Sequence, residues 1–227
     1  MAIVSSLVSL PAAFALTCDL PSAVEHLASR THYHKGDTIY YQDGPAEYGY
    51  RIVTGAAREC ALLADGRRQV LDFLMPGDVF GFCAPGVHRF SGEIIAEATM
   101  VARYPRHRVE MLAESDPEVA RRLRQLAFEA IGRLQTRMTV LSRTTALEKV
   151  STFLLEMADR SASNAKNSIA LPMSRYDIAD YLALSVETVS RTLTALRQRR
   201  AITFTGARLV SIIDRGLLQW CSENCAL

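Results

Sequence analysis

The chain of 227 residues lacks an excess of charge of either sign: 26 Lys and Arg against 24 Asp and Glu leave a formal net charge of +2. A uniformly basic nucleic-acid coat is thereby excluded, and any contact to nucleic acid has to come from a local basic surface. Cysteines are few, odd in number and scattered, at Cys18, Cys60, Cys83, Cys221 and Cys225. A disulfide framework is excluded in a chain of this size. Cys221-x3-Cys225 has no nearby His to complete a metal set and reads as chain tail, while Cys60 and Cys83 read as inert buried thiols rather than redox switches. No apolar run is long enough to span a bilayer. The apolar stretch Ala2 to Leu16 contains no Lys or Arg and is split by Pro11, so a secretory leader is not expected and the cytoplasm is. There is no P-loop, no nucleophile motif and no carboxylate pair in a Gly-rich setting; Glu93 and Glu97 alternate on an expected strand and read as solvent-facing. An enzyme is not expected.

What is present is concentrated between Ser174 and Leu193. Ser174 followed by Asp177 makes an S-x-x-D helix start, and Ile178, Ala179 and Leu182 follow at helical spacing, so a helix is expected from Arg175. Leu182-Ala183-Leu184 interrupts it. Ser185 then caps a second helix whose Val186, Val189, Leu193 and Leu196 share one apolar face, while Glu187, Ser190 and Arg191 point elsewhere. Two short helices joined by a tight turn form a helix-turn-helix, in which the start of the second helix meets base edges in the major groove. In that role Arg191 suits a bidentate contact to guanine, Glu187 accepts from the amino group of cytosine, and Ser190 touches a neighbouring base. Ser174, Arg175, Ser185, Thr188, Arg197, Arg199 and Arg208 are the phosphate candidates. The local basic surface is Arg191, Arg197, Arg199 and Arg200 against Glu187 alone. Beyond it, Ala201 to Phe204 and Arg208 to Ile213 flank Thr205-Gly206-Ala207 and read as a hairpin, the wing of a winged helix.

From Tyr33 to Arg103, recurrent glycines separate short stretches rich in Val, Ile, Tyr and Phe, the pattern of many short strands in a barrel, roll or sandwich. Asp65-Gly66 predicts a hairpin pairing Ala57 to Leu63 with Arg68 to Phe73. After Pro105 a long helix is expected from Asp116-Pro117 to Leu147, with Ala127, Ile131, Leu134, Met138, Leu141 and Thr145 repeating as a heptad seam. Leu123, Leu126 and Ala130 form a second apolar row, so the helix has two faces to bury, one against its own roll and one against a second subunit. A small polar segment between Ala158 and Ala170 reads as an exposed loop following a helix from Leu147 to Ala158.

A roll beside a helix-turn-helix resembles the CRP/FNR family of bacterial transcription regulators, over nearly the whole chain. The residues that carry the resemblance are Lys35-Gly36-Asp37, Gly55, Asp65-Gly66-Arg67, Pro76-Gly77-Asp78-Val79-Phe80-Gly81 and Ser185 to Arg191. It implies an α+β chain: an antiparallel β-roll (jelly roll, like a cyclic-nucleotide-binding domain) over residues 1–115, a dimerisation helix over 116–144, and a winged helix-turn-helix over 145–227. Cyclic-nucleotide binders of the family place a Glu after the G-D-x-x-G turn and an Arg-Ser pair on the cyclic phosphate. Here Phe82 follows Gly81 and the pair reads Phe90-Ser91, with Arg89 one residue out of register, so cyclic AMP is not expected. The [4Fe-4S] branch needs clustered N-terminal cysteines, and only Cys18 precedes Cys60. Haem would have to use His26, His32, His34, His88 or His107, each read as a surface or hydrogen-bonded residue, so no cofactor is expected. The E-x-x-S-R arrangement resembles the FixK-like branch. That implies a homodimer on a TTGAT-type inverted repeat in double-stranded DNA, recruiting RNA polymerase as an activator of microaerobic respiration, denitrification or nitrogen-fixation genes.

Overall fold

A computed structural model describes residues 20–82, 86–143, 145–160, 168–206 and 208–223. The apolar stretch Ala2 to Leu16, Cys18, Cys83, Ala207 and Cys225 lie outside the described residues, as does most of the expected loop between Ala158 and Ala170.

The glycine-punctuated half folds as two four-stranded antiparallel sheets. After a short helix α1 (Ser22–Glu25) come β1 (Ser29–Tyr33), β2 (Thr38–Tyr40), β3 (Tyr48–Thr54), β4 (Ala57–Leu62), β5 (Arg68–Leu74), β6 (Val79–Phe80), β7 (Ser91–Ile94) and β8 (Thr99–Pro105). One sheet runs β1-β8-β3-β6 and the other β2-β7-β4-β5, so the chain repeatedly crosses between them, as a roll requires. The expected hairpin is β4–β5, with Ala57 opposite Leu74 and Leu62 opposite Arg68. Gly66, at φ 78°, supplies the left-handed residue at its turn. Gly55 links β3 to β4 at φ 85°, and a methyl there would lie 2.2 Å from Thr99 Oγ1. Period-two alternation turns Tyr40, Tyr50, Ile52, Ala57, Leu74, Phe80, Ile94 and Val101 into one buried cluster. Glu93, expected to face solvent, instead accepts from Arg58 Nη2 at 2.6 Å.

Three helices follow: α2 (Arg106–Ser115), α3 (Pro117–Leu141) and α4 (Ala146–Arg160). Helix α2 was not legible in the sequence, since Val109 is its one fully buried side chain. The α3 start is as expected, with Pro117 in the first turn and the Asp116 carboxylate accepting from Glu118 N at 2.8 Å. Its end is not. The expected helix to Leu147 stops at Leu141, because Thr145-Ala146-Leu147-Glu148 is itself a capping box. Thr145 Oγ1 accepts from Glu148 N at 3.2 Å, and the Glu148 carboxylate accepts from Thr145 N at 2.9 Å. Thr145 therefore starts α4 and does not belong to the heptad seam, which ends at Leu141. Leu123 and Leu126 pack onto Tyr104, Val109 and Val119, anchoring α3 to the roll. The other row, Ala127, Ile131, Leu134, Met138 and Leu141, points away from the chain.

The C-terminal part comprises β9 (Ser168–Ala170), α5 (Arg175–Leu182), α6 (Val186–Gln198), β10 (Ile202–Phe204), β11 (Leu209–Ile212) and α7 (Arg215–Glu223). The expected hairpin is β10–β11, widened by β9 into a three-stranded sheet ordered β10-β11-β9. Cys221, read as chain tail, is fully buried on α7, which packs against α4. Phe73 of β5 meets Phe153 of α4 and Tyr181 of α5 at ring-centroid distances of 6.1 and 5.0 Å, so the apolar core runs without a break from the roll into the helix-turn-helix. Among the described residues no helix is long and apolar enough to cross a membrane.

Candidate nucleic-acid interface

Both helix starts of the helix-turn-helix are fixed by their own side chains. Ser174 Oγ accepts from Asp177 N at 3.2 Å while Asp177 Oδ2 accepts from Ser174 N at 2.9 Å, a complete capping box at α5. Ser185 Oγ accepts from Thr188 N at 3.1 Å and caps α6. Between them Ala183 takes the left-handed conformation, φ 52° and ψ 53°, which sets the turn. The methyl is strained there by about 1 kcal/mol relative to glycine. The variant Ala183→Gly is therefore expected to gain about 1 kcal/mol, read as a higher urea midpoint at unchanged slope. A lower midpoint would mean that the turn draws support from the methyl.

Helix α6 buries Val189, Thr192, Leu193 and Leu196, and the opposite face carries the expected readers. Glu187 and Arg191 are exposed, and Ser190 lies half-buried between them. The Glu187 carboxyl is held below the usual carboxylate range by its own backbone N–H, then by the Ser185 hydroxyl, with Arg191 adding a smaller push. It is thus an acceptor at neutral pH, the state that reading a cytosine amino group needs. Arg175, Arg197 and Arg208 are exposed around this face, and Arg175 stacks over the Phe204 ring at 5.7 Å, joining α5 to the wing. Four phosphate candidates are partly engaged within the protein. The Ser174 hydroxyl donates to Asp177 Oδ2 at 2.7 Å, Ser185 and Thr188 share a hydroxyl contact at 2.9 Å, and Arg199 Nη1 reaches Cys221 Sγ at 3.9 Å. Tyr176 is exposed beside Arg175 on α5.

In the roll, Phe90 precedes Ser91, whose Oγ accepts from Gln42 N at 2.9 Å, and the Phe82 ring lies so close to Gly49 that a methyl there would meet it at 2.1 Å. Deeper in the roll, Tyr40 stacks on His88 at 3.9 Å and on Tyr50 at 5.1 Å, and its hydroxyl donates to Glu59 Oε1 at 2.7 Å. His88 is therefore enclosed in an aromatic stack, while His26, His32, His34 and His107 are exposed. Burial pushes the Cys60 thiol up to about 11, leaving little thiolate at neutral pH.

Residues 148–220 match the Crp-like helix-turn-helix domain, and residues 30–116 match the cyclic nucleotide-binding domain. The nitrogen fixation regulation protein FixK of Azorhizobium caulinodans is 41% identical over 199 residues, covering 86% of this chain and 80% of that protein. FixK of Rhizobium meliloti is 39% identical, covering 80% and 81%. The structure of FixK2 from Bradyrhizobium japonicum superposes with a TM-score of 0.82 at 43% identity, covering 88% of this chain and 99% of that one. A relative of that identity and coverage shares the fold along most of the chain, and the chain belongs to the CRP/FNR family as a DNA-binding transcription regulator of the FixK type.

Proposed function

We propose that the protein works as a homodimer joined along α3 and reads an inverted repeat. The observation that carries this reading is the outward row on α3: Phe128, Ile131, Leu134, Met138 and Leu141 are between 37% and 72% exposed, five large apolar side chains on one helix face. Such a stripe on a 25-residue helix suits a second copy of itself, which would bury it knob-into-hole. Dimer symmetry then presents two copies of α6 to successive major grooves, about one DNA turn apart. In each half-site Arg191 takes a guanine, Glu187 a cytosine amino group and Ser190 a neighbouring base, while Arg175, Arg197 and Arg208 hold phosphates.

By analogy with the FixK relatives, the half-site is of the TTGAT type and the bound dimer recruits RNA polymerase in the cytoplasm, at genes of microaerobic respiration, denitrification or nitrogen fixation. The reading includes no haem, cluster or nucleotide, because Phe82 and Phe90 replace the phosphate-binding residues and Cys18 alone precedes Cys60. Selection of bound sequences from a random DNA pool tests it directly. The expected result is an inverted repeat of one five-base element; enrichment of an unpaired element, or of none, would overturn the reading.

A further inference from the structure

The roll grips the helix-turn-helix through one carboxylate that already has another task. Asp177 Oδ2 completes the capping box of α5, whereas Oδ1, on the other side of the same group, faces the β4–β5 hairpin. There it accepts from Arg58 Nη1, and from Arg68 Nη2 at 3.1 Å. Arg58 is itself anchored by Nε and Nη2 to Glu93 Oε2 at 2.9 and 2.6 Å, so its guanidinium is aimed before α5 arrives. Arg68 reaches on to Asp180 Oδ2 at 3.4 Å, and Gln69 Nε2 donates to the Asp180 carbonyl. Arg137 of α3 closes the group: it stacks over Tyr181 at 4.3 Å and donates to Val70 O at 2.7 Å.

Two features separate this from an ordinary packing contact. The gripped residues Asp177, Asp180 and Tyr181 lie at i, i+3 and i+4 on one side of α5, whereas Arg175 and Tyr176 are exposed on the same helix. With Glu187 and Arg191 of α6 exposed as well, docking leaves the reading face open. The contact is also charged and directional, with Asp177 only 6% exposed in its side chain, so it selects one orientation where an apolar contact would tolerate several.

We infer that Arg58 and Arg68, residues of the roll, are positioning residues for DNA recognition, holding the helix-turn-helix at one orientation through Asp177 and Asp180. The consequence for DNA binding rests on the dimeric reading above. Two heads held rigidly read half-sites at one separation, and two heads released from the hairpin accept several.

The test uses the full chain carrying Arg58→Met with Arg68→Met, beside the charge-keeping pair Arg58→Lys with Arg68→Lys. Binding is titrated on a single half-site and on inverted repeats whose spacer is native or altered by one base pair. For the Met pair the expected result is roughly a tenfold or larger loss at native spacing, with preference for that spacing gone and single half-site affinity kept. The Lys pair should recover most of the spacing preference. In parallel, spin labels at His34→Cys and Gln219→Cys, in chains with the native cysteines replaced and diluted into unlabelled chain, report the distance between roll and reading head. A narrow distribution should broaden in the Met pair. Unchanged distance and spacing preference would overturn the inference, as would an equal loss on the single half-site with the distance still narrow. If the parent chain binds all spacers alike, the inverted-repeat reading fails by itself, and the distance distribution still decides whether the arginines set the orientation.

Discussion

In a chain carrying Leu134→Glu, the dimer proposed along α3 is expected to dissociate and specific DNA binding to go with it. Leu134 sits near the middle of the outward row and is 61% exposed in the single chain, so the substitution disturbs little within one subunit. In a two-fold interface each contact occurs twice, and both copies lose the burial of a leucine, about 2 kcal/mol apiece. Weakening of roughly a thousandfold in the dimer dissociation constant follows from the two losses alone, before the added penalty of enclosing two carboxylates. DNA binding falls by about a hundredfold or more, since the second head no longer benefits from the high effective concentration that a joined partner confers. Sedimentation of the variant at micromolar concentration checks the first part and titration on the selected repeat the second. The far-UV circular dichroism spectrum is the control and should be unchanged, because Leu123 and Leu126, not Leu134, bind α3 to the roll, whereas the melting temperature falls with the lost subunit linkage. A variant that stays dimeric would place the subunit contact elsewhere.

The helix-turn-helix was legible because its signals are local. Ser174 with Asp177, and Ser185 before the Val189, Leu193 and Leu196 stripe, determine helix starts within four residues of themselves, and both caps form as written. The hairpin at Asp65-Gly66 was readable for the same reason. Where two local signals competed, the periodic one misled: Thr145 continues the 3-4 spacing of the α3 seam, yet Thr145 and Glu148 cap each other and the helix restarts there. Phe128 escaped notice because it lies one residue beside the seam position Ala127, although the exposed stripe is wide enough to include both. Helix α7 was illegible at the level of the Cys221 pattern, whose meaning is burial against the rest of the winged helix and not ligation. The grip on Asp177 was beyond sequence reasoning altogether: Arg58 lies 119 residues away, and nothing in S-x-x-D says that the second oxygen has a partner. Contacts of that separation are decided by how the roll and the helices meet, which depends on the core through Phe73, Phe153 and Tyr181.

Arg191 and Glu187 should separate in what they do for recognition. Both are exposed on the same face of α6, one turn apart, and each is free of the apolar core, so truncation to alanine leaves the fold intact. Removing Arg191 takes away a cation and a bidentate donor. Arg191→Ala is expected to lose about 1–3 kcal/mol per half-site on the selected repeat and to lose discrimination at the guanine proposed for it. Removing Glu187 takes away an anion that stands close to the phosphates. Glu187→Ala should thus keep or slightly raise affinity for random DNA while its preference at the matching cytosine collapses, so the ratio of specific to non-specific binding falls more than either affinity. Because the Glu187 carboxyl is held below the usual range, the preference it confers is fully present at neutral pH and fades only as acidification protonates it, well below the pH of ordinary binding buffers. Arg208→Ala, in contrast, should weaken binding to all sequences alike and reduce the slope of log affinity against log salt by about one per subunit. Titrations of the three variants on the selected repeat, on single-base-pair changes within it and on random DNA, each at several salt concentrations, distinguish these signatures. If Glu187→Ala loses affinity equally on all DNAs, or Arg208→Ala loses it at one base pair, the division of α6 and the wing into base readers and phosphate anchors is wrong.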